Sequence, residues 1–151
     1  MRPMLPVVLL LLAACAPQAK LQRTPVNPWS WGEAIGMNQA ELVSGERRTL
    51  YLSGQTALDA EGKVVEGLDL RAQFEAAFTN LDAVLKAAGM TRANVVRTTI
   101  YTTDVRAAAK HWDVYMTHFD AVGSKPPASL IGVSELAFPG LLIEIEATAV
   151  D

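Results

Sequence analysis

The chain has 151 residues, of which 50% are hydrophobic and 19% charged, with a formal net charge of −3 and one cysteine. This length suits one ordinary domain, and the apolar fraction is enough for a core, so the composition excludes a disordered chain. A single cysteine excludes an intrachain disulfide framework and a cysteine-cluster metal site. The weak acidity lacks the basic patch that nucleic-acid binding requires, so no nucleic-acid partner is expected.

The first 14 residues have the pattern of a secretory signal. Arg2 precedes an apolar run over 6–12, which is much shorter than the ~20 residues that a membrane-spanning helix needs. The next residues, Leu12-Ala13-Ala14-Cys15, resemble a bacterial lipobox, which implies cleavage before Cys15 and lipidation of its thiol. Ala16 follows, and this resemblance then implies sorting to the outer membrane, facing the periplasm. A plain secretory signal or a misassigned start codon are the alternatives.

Residues 15–28 contain three prolines and no apolar period. They are predicted to form an extended tether between the lipid and the domain. The globular domain is therefore predicted over 29–151. Trp29 and Trp31 precede its first strand, as a flap that seals the core or as a lid over a cleft.

The domain begins with two short strands and a long helix. Segments 39–43 and 49–53 each combine apolar and polar residues and are separated by a turn at 44–47. This pattern predicts a β-hairpin. Asp69 is a candidate N-cap, and apolar residues then recur at helical spacing until Gly89, which can end the helix in a left-handed conformation.

The second half continues with a β-branched strand over 95–101 and a second helix capped by Asp104. Short strands follow over 128–133 and 141–150. The order β-β-α-β-α-β-β predicts an α+β fold with one sheet and two helices on one face. In the last strand, apolar residues alternate with Glu144, Glu146 and Thr148. Because two helices cover only one sheet face, the other face is expected to meet further copies of the chain.

Several segments resemble the Rid (reactive intermediate deaminase), or YjgF, family over about residues 35–150. The matching segments are Ser53-Gly54-Gln55, Ala88-Gly89-Met90, Val95-Val96-Arg97-Thr98-Thr99-Ile100-Tyr101 and Ile143-Glu144-Ile145-Glu146-Ala147, together with the pattern from Gln73 through Asn80-Leu81 to Val84-Leu85. The resemblance implies a chorismate-mutase-like fold and a homotrimeric barrel with ligand clefts between subunits. It also implies hydrolysis of 2-imino or enamine acids to 2-keto acids and ammonia. No cofactor and no metal are expected.

The chain departs from the family pattern at three site positions. Where the family has a carboxylate-binding arginine, this chain has Ser129, within Pro127-Ala128-Ser129-Leu130. A family tyrosine corresponds to Met37, and a pocket asparagine corresponds to Trp112. Because an arginine binds a carboxylate through two charge-assisted hydrogen bonds, Ser129 predicts weak binding of 2-imino acids. Arg97 and Arg106 are candidate replacements by proximity in sequence only.

The retained part of the site comprises Ser53, Gly54 and Glu144. Glu144, fifteen residues after Ser129, is the candidate for activating water; the alternative is a solvated carboxylate on an open face. His111 and His118 lie two turns apart on one helix, too distant to share a metal. No phosphate-binding loop or zinc spacing is present.

Three functions remain open from the sequence. The first is a Rid-type hydrolase that acts on imines or enamines lacking the usual carboxylate geometry. The second is a lipid-anchored trimer that binds a small apolar or aromatic ligand without catalysis, which Met37 and Trp112 favour. The third is a structural or holdase-like protein of the cell envelope.

Overall fold

The computed structural model describes residues 20–28, 34, 36, 38 and 40–151. The predicted signal, Cys15, Met37, Trp29 and Trp31 lie outside the described residues. Within the described part, no helix is long and apolar enough to cross a membrane.

Six strands and three helices of the described part position the site. The strands are β1 (Gln22–Val26), β2 (Ala40–Ser44), β3 (Thr49–Gln55), β4 (Val95–Thr102), β5 (Ala128–Gly132) and β6 (Ile143–Val150). The helices are α1 (Leu70–Ala87), α2 (Val105–Lys110) and α3 (Trp112–Asp120), with a 3₁₀ turn at Arg92–Asn94 before β4.

The main sheet has four strands in the order β3-β6-β4-β5. The β3–β6 and β6–β4 pairs are antiparallel, whereas β4 and β5 are parallel. A parallel pair needs a crossover connection, which α2 and α3 supply between these two strands. The α+β architecture predicted from the sequence is confirmed.

The helices pack on one face of this sheet. Asp69 caps α1 by accepting a hydrogen bond from the backbone N–H of Ala72 at 2.8 Å. The helix then buries a stripe at helical spacing, because the apolar residues recur every three or four positions. The buried apolar residues of α1 are Leu70, Phe74, Ala77, Phe78, Leu81 and Leu85. They meet the apolar face of β6, where Ile143, Ile145 and Ala149 are fully buried.

The predicted hairpin of 39–43 with 49–53 is wrong. β2 pairs with β1 in a separate two-stranded sheet, while β3 pairs with β6. The strand β1 lies in the range predicted as tether. Arg23 holds it there, because this guanidinium donates to Glu41 on β2 and to the carbonyl of Val95 at the start of β4.

The predicted second helix is divided into α2 and α3 at His111, whose backbone leaves the helical conformation (φ −105°, ψ 20°). Trp112 begins α3 and its ring stacks on that of Tyr115 with centroids 4.4 Å apart. The buried hydroxyl of Tyr115 shares a hydrogen bond with Thr98 of β4 at 3.0 Å. This contact ties α3 to the sheet.

Candidate functional site

The face of the main sheet away from the helices, called the open face below, carries mostly polar residues in three rows that run across the strands. The strand register sets these rows, since directly paired residues point to the same side. The first row contains Tyr51, Thr148 and Arg97; the second Glu146, Thr99 and Ser129; the third Glu144, Tyr101 and Ile131.

Glu144 lies directly over the backbone of Gly54. The pairing of β3 with β6 is irregular between Leu52 and Gln55, which brings the backbone of residue 54 up against the glutamate. A Cβ atom at position 54 would lie 1.7 Å from Oε1 of Glu144 and 2.3 Å from its Cδ. No side chain fits there, so glycine is required for Glu144 to keep this orientation.

Burial raises the pKa of the Glu144 carboxyl above its ordinary value, and the negative charge of Glu146 raises it further. A carboxyl with a raised pKa can hold a proton closer to neutral pH, which suits it to general acid–base chemistry. A carboxyl whose pKa is shifted both by burial and by a specific charged neighbour is a candidate for a functional group.

Tyr101 connects the two glutamates. Its hydroxyl donates a hydrogen bond to Oε2 of Glu146 at 3.0 Å, and on β4 it is the register partner of Glu144. The hydrogen bond to Glu146 is the main cause that raises the pKa of Tyr101. Tyr101 is not among the site residues predicted from the sequence, because its place between two carboxylates depends on the β4–β6 register.

Ser53 and Ser129 lie on the two edge strands of the main sheet. Ser53 is exposed on β3 beside Gly54, and Ser129 lies on β5. Ser129 and Glu144 are two strands apart across the sheet, and they are also offset by two residues along the strands. Together these offsets separate their Cα atoms by about 12 Å on a flat sheet. Within one chain the structure therefore brings Gly54 and Glu144 together but not Ser129.

Trp112 lies in the helical layer, packed against the hydrophobic core. It is thus on the side of the sheet opposite Glu144 of the same chain. Arg106, in α2, is exposed and also lies in the helical layer.

Arg97 is a cation on the open face. It lines a shallow depression of about 260 Å³ together with Tyr51, Thr99, Glu146 and Thr148. Along β4, however, Arg97 is four residues from Tyr101, the register partner of Glu144. This offset is about 13 Å at the rise of a strand. The described residues contain no cluster of side chains able to hold a metal ion.

Comparison with known proteins places this arrangement in a family. The family model described as Endoribonuclease L-PSP matches residues 33–151. A RutC family protein from Aquifex aeolicus is 38% identical over 127 residues, covering 83% of this chain and 90% of the relative. The crystal structure of YyfB from Yersinia pestis, a protein of unknown function of the conserved Rid protein family, has a TM-score of 0.75 and 38% identity, covering 85% of this chain and 98% of that one.

The chain belongs to the Rid family. Among its Rid relatives is a protein from Rattus norvegicus named 2-iminobutanoate/2-iminopropanoate deaminase, which is 39% identical over 119 residues and covers 78% of this chain and 82% of the relative. The resemblance seen in the sequence is therefore confirmed at the level of family and fold.

Proposed function

We propose that this Rid protein hydrolyses the C=N bond of small imines, including those that form from enamines, with Glu144 moving the proton. The observation that carries the proposal is the Glu144 carboxyl held over Gly54 with a raised pKa. The similarity to a protein named 2-iminobutanoate/2-iminopropanoate deaminase supports the reaction class.

The reaction needs one water molecule, and Glu144 carries two protons in turn to the nitrogen. It takes the first proton from the water as the water oxygen bonds to the imine carbon, and passes it to the nitrogen to give a carbinolamine. It then takes the hydroxyl proton of the carbinolamine and delivers it to the amino nitrogen as the C–N bond breaks, so that a carbonyl product and ammonia leave. Each turnover returns Glu144 to its starting state.

The substrates are imines without a carboxylate on the imine carbon. Ser129 offers a neutral hydroxyl where the family resemblance implies an arginine. Arg97 is offset from the Glu144 row by about 13 Å along the strand, whereas the carboxylate of a 2-imino acid is one bond from the reacting carbon. Within one chain, therefore, Arg97 does not replace the missing clamp.

We also propose that the cleft is completed between subunits of a homotrimer. The open face leaves Tyr51 80% exposed and Ile131 40% exposed, as expected of a surface that meets another copy. Assembly would bring Ser53 and Ser129 of different copies to the Glu144 site. Met37 would then line it, and Trp112 would do so only from a neighbouring copy, since it lies opposite Glu144 within its own chain.

The protein is further proposed to be lipid-anchored through Cys15 at the outer membrane, facing the periplasm. The lipobox-like residues 12–15 support this proposal. Expression in a Gram-negative host with labelled fatty acid tests it: label is expected on the wild type, and its presence on a Cys15→Ala variant would contradict the proposal.

Hydrolysis can be tested with two imines that differ only in the carboxylate. A flavin amine oxidase makes the imine of benzylamine, and an amino-acid oxidase makes that of phenylglycine. Semicarbazide traps either imine, so hydrolysis by the protein lowers the initial rate of semicarbazone formation. The wild type is expected to lower this rate with the benzylamine product, and Glu144→Gln to lose the effect.

Ser129→Arg is the matched gain-of-function variant. It is expected to improve hydrolysis of the phenylglycine product by about 10–100-fold, the range for charge-assisted hydrogen bonds of ~1.5–3 kcal/mol. A wild-type protein that accelerates neither imine would contradict the proposed hydrolysis and favour a protein that only binds ligands. Faster hydrolysis of the phenylglycine product than of the benzylamine product would contradict the proposed substrate class.

A further inference from the structure

The loop between β5 and β6 lines an open cavity of about 510 Å³. Thr103 and the loop residues from Ser134 to Leu142 line it. The size is in the range of small-molecule pockets.

This cavity continues the open face beyond the row that contains Glu144. Thr103 lies two residues after Tyr101, and Leu142 lies two residues before Glu144. The backbone N–H of Thr103 donates to the carbonyl of Leu142 at 3.1 Å, so these two residues form the next row. One step of two residues spans about 7 Å in a strand, which places the cavity wall within one small molecule's length of Glu144.

The loop is held in place by a buried side chain of α1. Gln73 is only 2% exposed. Its amide donates to the carbonyl of Gly140 at 2.8 Å and accepts from the backbone N–H of Leu142 at 2.8 Å. Both hydrogen bonds are partly buried, and the Gln73 side chain that makes them is itself buried, so the end of the loop next to Glu144 is held in place.

The chemistry of this wall is apolar and anionic. Leu136, Phe138 and Pro139 contribute apolar surface, and Phe138 is 47% exposed. Glu135 is the charged residue of the lining, and no lysine or arginine is among the lining residues that the structure describes.

We infer that the 134–142 loop binds the apolar substituent of the imine that is hydrolysed at Glu144. The loop thereby selects imines of aromatic or bulky aliphatic compounds, whether neutral or protonated, over imines that carry a carboxylate. The inference rests on the proposed function, whose reaction it makes specific. A protonated imine carries a positive charge next to an apolar group. Glu135 and Glu144 attract that charge and repel a carboxylate, while the loop covers the apolar group.

Binding of three ligands of similar size to the full chain tests this inference without requiring turnover. Benzylammonium, benzyl alcohol and benzoate share a ring and differ in charge, and calorimetry measures their dissociation constants. Benzylammonium is expected to bind at least tenfold more tightly than benzoate, with benzyl alcohol between them. Phe138→Ser is expected to weaken benzylammonium at least fivefold, and Glu135→Gln to reduce its advantage over benzoate.

Leu42→Ser is the matched control, because Leu42 is 63% exposed on β2 and lies outside both the loop and the open face. It is expected to leave all three constants unchanged. Equal or tighter binding of benzoate, or an equal effect of Leu42→Ser and Phe138→Ser, would overturn the inference.

The failure of the inference can be told apart from the failure of the proposed function. If the binding order holds but no imine is hydrolysed, the loop site stands and the proposed reaction fails. If Glu144-dependent hydrolysis is found but Phe138→Ser leaves the KM of the benzylamine-derived imine unchanged, the reaction stands and the loop assignment fails.

Discussion

Position 54 links the local backbone to the chemistry of a residue ninety positions away. The Glu144 side chain fills the space where a Cβ would be, so Gly54→Ala must turn the carboxylate away. The displaced group is the end of a flexible side chain rather than backbone, so the fold is expected to persist. Hydrolysis is expected to fall by roughly 100-fold, the size of a lost general acid–base contribution, while the thermal unfolding midpoint changes little.

A double variant isolates this effect. Gly54→Ala is expected to cause no further loss of activity once Glu144 is already alanine, because both changes act on the same group. Independent, additive losses in the semicarbazide assay would contradict the proposed link between the two residues.

The pH dependence of the reaction depends on the neighbour of Glu144. As a base, Glu144 must be deprotonated, so kcat/KM is expected to rise with pH through its raised pKa. Glu146→Gln removes the second cause of that raised pKa, and the rise is expected to move to lower pH. A rise that stays in place or moves upward in the pH profile would contradict this electrostatic coupling.

The same raised pKa acts on stability in the opposite direction. The folded chain binds a proton at Glu144 at pH values where the unfolded chain has released it. The contribution of this group to the free energy of unfolding therefore falls as pH increases through the interval between its unfolded and folded pKa.

At the scale of elements, one arginine attaches β1 to the main domain. Besides its salt bridge to Glu41 at 2.6 Å, Arg23 donates to the carbonyls of Ala93 and Val95 and to the hydroxyl of Ser124. The Glu41 side chain is only 5% exposed, so removal of the arginine leaves a buried carboxylate without its cation.

Arg23→Ala is therefore expected to lower the free energy of unfolding by roughly 1–3 kcal/mol and to speed hydrogen exchange in β1 and β2. Urea unfolding and amide exchange measure the two effects. Arg71→Ala is the control: its salt bridge to Asp113 joins side chains 45% and 59% exposed, and such a pair contributes less than about 1 kcal/mol. Equal effects of the two variants would contradict the role of Arg23.

The elements predicted well from the sequence are those whose pattern is local. The helix α1 follows from its cap at Asp69 and its apolar period, and β6 follows from alternation around Glu144. The strand β1 contains Pro25 and no apolar alternation, and its position depends on contacts of Arg23 about 70 residues away. Gly54 and Glu144 are likewise separate candidates in the sequence. Their contact, and the position of Tyr101 beside Glu144, follow only from the way the strands pair.

At the scale of the whole molecule, the open face carries charges of both signs beside an exposed aromatic residue. It carries Arg97, Glu144 and Glu146 together with the exposed ring of Tyr51. A cation and two carboxylates on one face can pair between copies related by symmetry. The proposed trimer would bury this face and shield Glu144 from water.

Tyr51→Asp tests the assembly at a position that does not support the fold of one chain. Tyr51 is 80% exposed, so the loss of its ring removes little packing within the chain. In the assembly, however, the added carboxylate would be buried beside Glu146 without a cation, which disfavours the contact with a partner. Sedimentation or light scattering is expected to show a trimer for the wild type and smaller species for Tyr51→Asp, with imine hydrolysis reduced in parallel. Leu42→Asp places the same charge on β2 and is expected to remain trimeric. A Tyr51→Asp variant that stays trimeric would contradict assembly through the open face, and a monomeric variant with full activity would contradict a cleft completed by a second copy.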